Sequence, residues 1–438
     1  MRPSLRKLAP LHSAADVPAL PEVFILWHPD CAHGHPIAWQ IRRWLRPSAG
    51  QGPQVFYRSQ PAPGGGSRLP LPLPGEPRPW PPGIEPQMQR PKLQIVVLLL
   101  DHHMVTDPAW RWWMEQLSLP DSQRQGPPLL FLPVALTTTA FNAPVEIAKQ
   151  NFMRIADVTA LDPAALWVEP LQSPLLGSLL KPLTEALCRV VLAGPAIDAE
   201  RSSRQSAALR LFISHAKVDG AGPASRLRDY IYSRTQLAAF FDENNIPYGD
   251  SFAAVLQRAL ADGETAALIA VVSDRYASRP WCRRELRTFC RPQRVMEVPV
   301  EVWAMHPVLV VDYLEGEQLT RGLAELATVP VLRWQDNLPG MRQEEMIVTL
   351  LLREIFFDGY ARRVAQHFAL TESGPRFVLA WRPDAVTLQF VMSGRPPGDL
   401  MVLYPGREIT AADDNALRKL FPALTFMSFA EADMDTLT

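Results

Sequence analysis

Cysteine is scarce: Cys31, Cys188, Cys282 and Cys290 are the only four in 438 residues. So few and so scattered, they exclude a disulfide framework and fit reduced thiols in a cytoplasmic protein. Net charge is nearly absent too, at a formal −1. That leaves no global electrostatic case for binding nucleic acid directly or for adhering to a membrane. Long uncharged apolar runs are also missing. The most apolar later stretch, Leu175 to Val191, carries Lys181, Glu185 and Arg189, so no bilayer span is expected. The basic first residues lack a continuous apolar segment, and no secretory signal is read there.

Proline, by contrast, is abundant at 44 residues, with much of the excess early in the chain. Hydrophobic residues at 47% against 20% charged describe a globular protein, and the length favours two or three domains.

Val23 to Trp27 reads as a short buried strand, Ile37 to Leu45 has helical spacing, and Val55 to Tyr57 reads as a second strand. Residues 61–91 are rich in Pro and Gly without periodicity and read as an irregular insertion. Leu93 to Leu100 is a strong buried strand ended by Asp101-His102-His103. A helix over Ala109 to Leu117 follows Pro108, then a strand over Leu129 to Ala135. Leu175 to Leu192 closes this region as a helix, and residues 196–206 form a polar linker.

The next region repeats the order. Strands are expected over Leu209–Ser214, Ala239–Asp242, Ala267–Ser273 and His306–Val311, with helices over Ala224–Leu237, Phe252–Ala261 and Pro280–Cys290. Such alternation predicts a parallel, doubly wound sheet. VFILWHPD stands against LFISHAKVD, and IVVLLLDHHMVTDPAWRWWMEQL against ALIAVVSDRYASRPWCRREL, which points to an internal repeat. Met341 to Phe368 is a long helical pattern that leaves the second domain. Beyond it Phe377–Trp381, Thr387–Val391, Met401–Tyr404 and Leu424–Phe429 read as short strands, with a helix over Ala411–Leu420. The expected fold is α/β: two tandem domains, 1–195 and 207–340, then a long helix and a small α/β region over 341–438.

The motif Ser273-x-x-Tyr276-x-Ser278-x-x-Trp281-Cys282-x-x-Glu285-Leu286 resembles the signature of Toll/interleukin-1 receptor (TIR) domains of the bacterial NAD-cleaving type. Leu211-Phe212-Ile213-Ser214-His215 is similar to the family's first strand. Phe240-Phe241-Asp242-Glu243, with Ile246-Pro247-Tyr248-Gly249-Asp250 after it, is similar to the second strand and its loop. The resemblance covers about residues 209–337 and implies a flavodoxin-like fold, preceded by a divergent TIR-like copy.

It also implies an NAD glycohydrolase or ADP-ribosyl cyclase, with NAD as substrate and no cofactor required. Glu285 takes the catalytic role by resemblance. Phe212, Ser214, His215, Lys217, Asp242, Ser273, Tyr276, Ser278 and Trp281 are the expected substrate-binding residues. Ile246, Pro247, Tyr248, Gly249, Asp250 and Phe252 form the expected self-association loop. The family pattern further implies an antiphage immune effector, activated by assembly with other TIR domains and by a trigger-sensing partner protein.

The chemistry suits a lone carboxylate. The nicotinamide leaving group already carries positive charge, so no strong general acid is needed. An acid beside the ribose orients its hydroxyls and stabilises an oxocarbenium-like transition state. No glycine-rich phosphate fingerprint follows the first strand of this domain, which disfavours hydride transfer. Aligning Trp112 with Trp281 places Gln116 opposite Glu285, and a one-residue shift brings Glu115 there instead. On the first register the first copy lacks the acid. His28, Cys31, His33, His35, His102 and His103 do not follow a standard zinc spacing, and no metal is assigned. The alternatives are a non-enzymatic TIR adaptor and a sensor of an NAD-derived signal.

Overall fold

The strand β1 (Leu20–Trp27) is buried on both faces, the mark of an interior strand in a parallel sheet. The computed structural model describes residues 20–47, 51–58, 92–118, 129–155, 158–169, 171, 173–192, 210–235, 238–241, 266–297, 299–314, 329–336, 341–371, 376–395, 398–406 and 408–431. The expected insertion at 61–91, the linker at 196–206, Asp242, the loop Ile246–Phe252 and the helix expected over Phe252–Ala261 lie outside the described residues.

After β1 come α1 (Gly34–Leu45), β2 (Gln54–Arg58), β3 (Lys92–Leu100), α2 (His102–Thr106), α3 (Pro108–Leu117), β4 (Leu129–Ala135), α4 (Val145–Ala148), β5 (Met153–Arg154) and α5 (Pro174–Leu192). Every strand pairing here is parallel, in the order β2-β1-β3-β4-β5. The chain continues through β6 (Arg210–His215), α6 (Ala221–Arg234), β7 (Ala238–Phe241), β8 (Ala266–Val272) and α7 (Pro280–Phe289). Next are β9 (Gln293–Met296), β10 (Glu301–Ala304), β11 (Val308–Asp312), β12 (Val331–Arg333) and α8 (Gln343–Thr371). The second sheet, β7-β6-β8-β11-β12, is again all parallel. Both sheets follow the doubly wound order of flavodoxin-like folds, so the two halves of the repeat share one topology.

The third sheet gathers β13 (Arg376–Leu379), β14 (Leu400–Tyr404) and β15 (Leu424–Ser428), with α9 (Ala385–Met392) and α10 (Ala411–Leu420) between them. Its order is β15-β14-β13-β10-β9, so two strands come from inside the range read as the second domain. β10 pairs parallel with β13, and β9 closes the edge antiparallel to β10. One segment read as a strand, Thr387–Val391, is instead α9. Asp384 caps it by accepting from the amides of Val386 and Thr387, and that local bond commits the apolar run to a helix.

Side-chain alternation along the strands divides the cores. In β8, Ala267, Ile269 and Val271 face one side, while Leu268, Ala270 and Val272 face α7 on the other. In β3, Ile95, Val97 and Leu99 face inward, and Val96, Leu98 and Leu100 face α2 and α3. The inward faces of both sheets belong to one continuous core, filled by α5 and α8.

The helix α8 therefore joins the second unit to the third sheet. Its first half buries Ile347, Leu351, Leu352, Ile355 and Phe356 in the shared core. Its second half buries Val364, Ala365, Phe368 and Ala369 under the third sheet. Each of the larger side chains among them contributes about 1.5–3 kcal/mol when fully buried. The α5–α8 crossing is tight at Gly359, where a Cβ would stand 2.8 Å from Val191 Cγ2. Two polar contacts fix the same crossing: Cys188 Sγ donates to the Leu352 carbonyl at 3.1 Å and Arg363 Nε to the Val191 carbonyl at 2.9 Å. No helix among the described residues is long and apolar enough to cross a membrane.

Candidate functional site

In the second unit β6 leads into α6 on the inner face, while its neighbour β8 leads into α7 on the outer face. The carboxyl ends of these two strands thus flank the crevice where open α/β sheets bind ligands. α7 begins at Pro280, whose fixed φ and missing N–H suit a first helical position. It buries Cys282, Glu285, Leu286 and Phe289 along one face. Glu285 is the only charged member of that face, and it is 7% exposed.

Tyr276, fully buried, has its hydroxyl 2.9 Å from Ser214 Oγ and also donates to the Cys282 carbonyl at 3.3 Å. Burial pushes the Tyr276 phenol well above its ordinary value, and the Glu285 carboxylate adds to the rise. The ring therefore stays neutral, a fixed hydroxyl beside a buried acid.

Ser273 donates to Asp219 Oδ1 at 2.6 Å, and the Arg275 amide donates to Asp219 Oδ2 at 2.9 Å. One carboxylate thereby clamps the turn after β8 to the loop after β6. Asp219 was not among the residues singled out in the sequence. Its signal was present in the repeat alignment, where Asp30 and Asp219 close the paired segments VFILWHPD and LFISHAKVD.

The remaining expected site residues divide. Ser214, Ser273, Tyr276 and Glu285 come together as buried groups at the strand ends. His215 is half-buried there, its carbonyl accepting from Cys282 Sγ at 3.4 Å. Phe212 lies in the core, its ring 5.4 Å from that of Phe289, and supports the site from beneath. Lys217 and Ser278 are exposed, and Ser278 Oγ closes a turn onto the Arg275 carbonyl. Trp281 is 42% exposed, with the Arg284 guanidinium 5.6 Å from its ring centroid.

The first unit differs at the matching helix. α3 and α7 both open on proline, and both bury the third, sixth and seventh residues. This register sets Trp110 against Cys282, Met114 against Leu286 and Trp113 against Glu285. Neither Glu115 nor Gln116 is the counterpart of Glu285: both are exposed, and Glu115 lies 3.8 Å from Arg111. An indole occupies the place of the acid. Among the residues first considered as metal ligands, Cys31 is a neutral thiol, pushed up to about 12 by burial with the Asp101 carboxylate adding to the rise.

Residues 211–352 match the family model described as TIR domain. The second unit is a TIR domain, and the match runs into the first half of α8, the part that packs against its sheet. No curated protein matches the chain. A solved structure, tagatose-6-phosphate ketose/aldose isomerase from Escherichia coli, is 13% identical and covers 78% of this chain and 82% of its own. Its TM-score of 0.19 is too low to argue a shared fold.

Proposed function

We propose that the TIR domain cleaves NAD between ribose and nicotinamide, with Glu285 as the catalytic carboxylate. The observation that carries this reading is the burial of Glu285 on an otherwise uncharged helix face, at the carboxyl ends of β6 and β8. Glutamate is rarely buried, and an apolar side chain would serve packing alone there. Placed beside the ribose, the carboxylate accepts hydrogen bonds from its hydroxyls and stabilises the positive charge that develops as nicotinamide departs. The neutral Tyr276 and the Asp219 clamp hold the surrounding loops, so the acid meets a preformed wall.

On this reading the protein is a bacterial-type immune effector of the cytoplasm that hydrolyses or cyclises NAD when assembled with other TIR domains. The first unit, with Trp113 in place of the acid, is a divergent TIR-like copy without turnover, suited to assembly or to a trigger-sensing partner. A non-enzymatic TIR adaptor is the second reading, favoured by the apolar exposure of Trp281 and Val218 beside the crevice. NAD consumption across a protein concentration series, with product identification, separates the two. Turnover rising steeply with concentration supports the enzyme, and absence of both turnover and NAD binding supports the adaptor.

A further inference from the structure

The first unit has its own polar cluster at the equivalent place, where β1 leads to α1 on the inner face and β3 leads to α2 and α3 on the outer face. We propose that His28, Asp30 and His103 form a binding site for a divalent first-row transition-metal ion, with Asp107 as the positioning residue behind His28. One ligand atom from each of the three lies within 4.8 Å of the others. Bonds of about 2.0–2.2 Å require ligand atoms about 3–3.5 Å apart, so the side chains must close by an ångström or so. Asp30 and His103 are both exposed and can make that rotation, while His28 is buried and fixed.

The arrangement of His28 is that of a metal ligand. Its Nε2 lies 3.3 Å from Asp107 Oδ2, while Asp107 Oδ1 accepts from the first amides of α3. A carboxylate on the far nitrogen fixes ring and tautomer, the usual outer support of a metal-bound histidine. Nδ1 then faces Asp30, with Oδ2 at 3.8 Å. The Asp30 amide donates to this same Nδ1 at 3.1 Å, so the nitrogen is unprotonated, and a metal takes its lone pair by displacing that amide. His103 stacks against His28 with centroids 5.6 Å apart and 19° between the planes, so its exposed ring turns before one of its nitrogens meets the same ion. Trp110, tilted 5.5 Å from His28, has a buried indole N–H without a hydrogen-bond partner among the described residues.

The fold also removes the competing ligands that the sequence offered. Cys31 is packed in the core, His33 Nε2 is held at 2.8 Å by the Leu161 carbonyl, and His35 packs between Trp27 and Trp167. Two imidazoles and one carboxylate suit zinc, iron, cobalt, nickel or manganese rather than calcium or magnesium, which take oxygen shells. Three protein ligands leave positions open for water or an anionic ligand.

Titration of the metal-free full chain with Co2+ and Zn2+, by calorimetry and by visible absorption of bound cobalt, tests the site. The expected result is one tightly bound ion per chain. Asp30→Ala and His103→Ala, both at exposed positions, weaken it at least about 100-fold, Asp107→Asn weakens it about 10–100-fold, and His33→Ala leaves it unchanged. Failure of the wild-type chain to bind either ion stoichiometrically would overturn the proposal. So would Asp30→Ala and His103→Ala chains that bind as the wild type does, or displacement of cobalt by equimolar magnesium.

Discussion

Replacing Phe356 by alanine tests whether the two parallel sheets form one cooperative body. Phe356 is fully buried in α8, within the core shared by both sheets. Truncating a buried phenylalanine costs about 3–5 kcal/mol through lost transfer energy and the cavity left behind. The resulting shift in melting temperature depends on how much of the chain unfolds with it. At about 2.1 cal/mol/K per residue, a single transition of all 438 residues has an entropy of about 0.9 kcal/mol/K, so the midpoint falls by about 3–6 °C. If α8 instead belonged to an independent TIR unit of about 140 residues, the entropy would be about 0.3 kcal/mol/K and that unit's midpoint would fall by about 10–17 °C. Scanning calorimetry distinguishes the two. The shared core predicts one peak with the smaller shift, and two peaks, one displaced by the larger amount and one unmoved, would refute it.

Gly359→Ala should destabilise by about 1–3 kcal/mol in chemical denaturation despite alanine's better helix propensity, because the new methyl meets Val191. A more stable variant would show that α5 and α8 are not held at this spacing. Tyr276→Phe leaves Ser214 Oγ without its buried partner and should cost about 1–3 kcal/mol, read by the same denaturation. Asp358 carries a pH signature: burial pushes its carboxyl up to about 6, although Arg362 Nε donates to it at 2.6 Å. Because the folded form holds this proton more tightly than the unfolded one, stability falls as pH rises from about 4 to about 6 and levels off above, by at most about 3 kcal/mol. Asp358→Asn should remove that component from stability measured across the window, and an unchanged slope would contradict the assignment.

The central strands were legible because β1, β3, β6 and β8 are largely apolar on both faces and rich in β-branched residues, a pattern that fits a covered parallel sheet. The strand order common to the two units was legible for the same reason, since the strongest matching segments are those strands. The register of α3 was not. Trp110, Trp112 and Trp113 put indoles on both sides of the helix, and packing alone decides that Trp112 is 56% exposed while Trp113 is 8%. The helix α8 was read as a helix but not as a spine. It is buried or half-buried nearly all round, and only the presence of three sheets explains why. The recruitment of β9 and β10 into the third sheet depends on pairing with strands far along the chain, to which local periodicity is blind.

At the site the sequence singled out Glu285 through its resemblance to the TIR signature, and the fold buries it at the carboxyl ends of β6 and β8. The aspartates were less visible. Asp107 and Asp219 look like ordinary turn residues, and their second partners, His28 and Ser273, lie far from them in sequence. A turn aspartate becomes informative only when both of its oxygens are seen to be in use.

The most direct test of the central claim is NAD turnover by the purified wild-type chain beside Glu285→Gln, both shown by calorimetry to be folded. The amide keeps the shape and some hydrogen bonding but cannot carry negative charge. If the carboxylate stabilises the developing ribose cation, the variant should lose about 100–1,000-fold in kcat, the scale of removing one electrostatic stabiliser. A folded Glu285→Gln chain that consumes NAD as fast as the wild type would contradict the account.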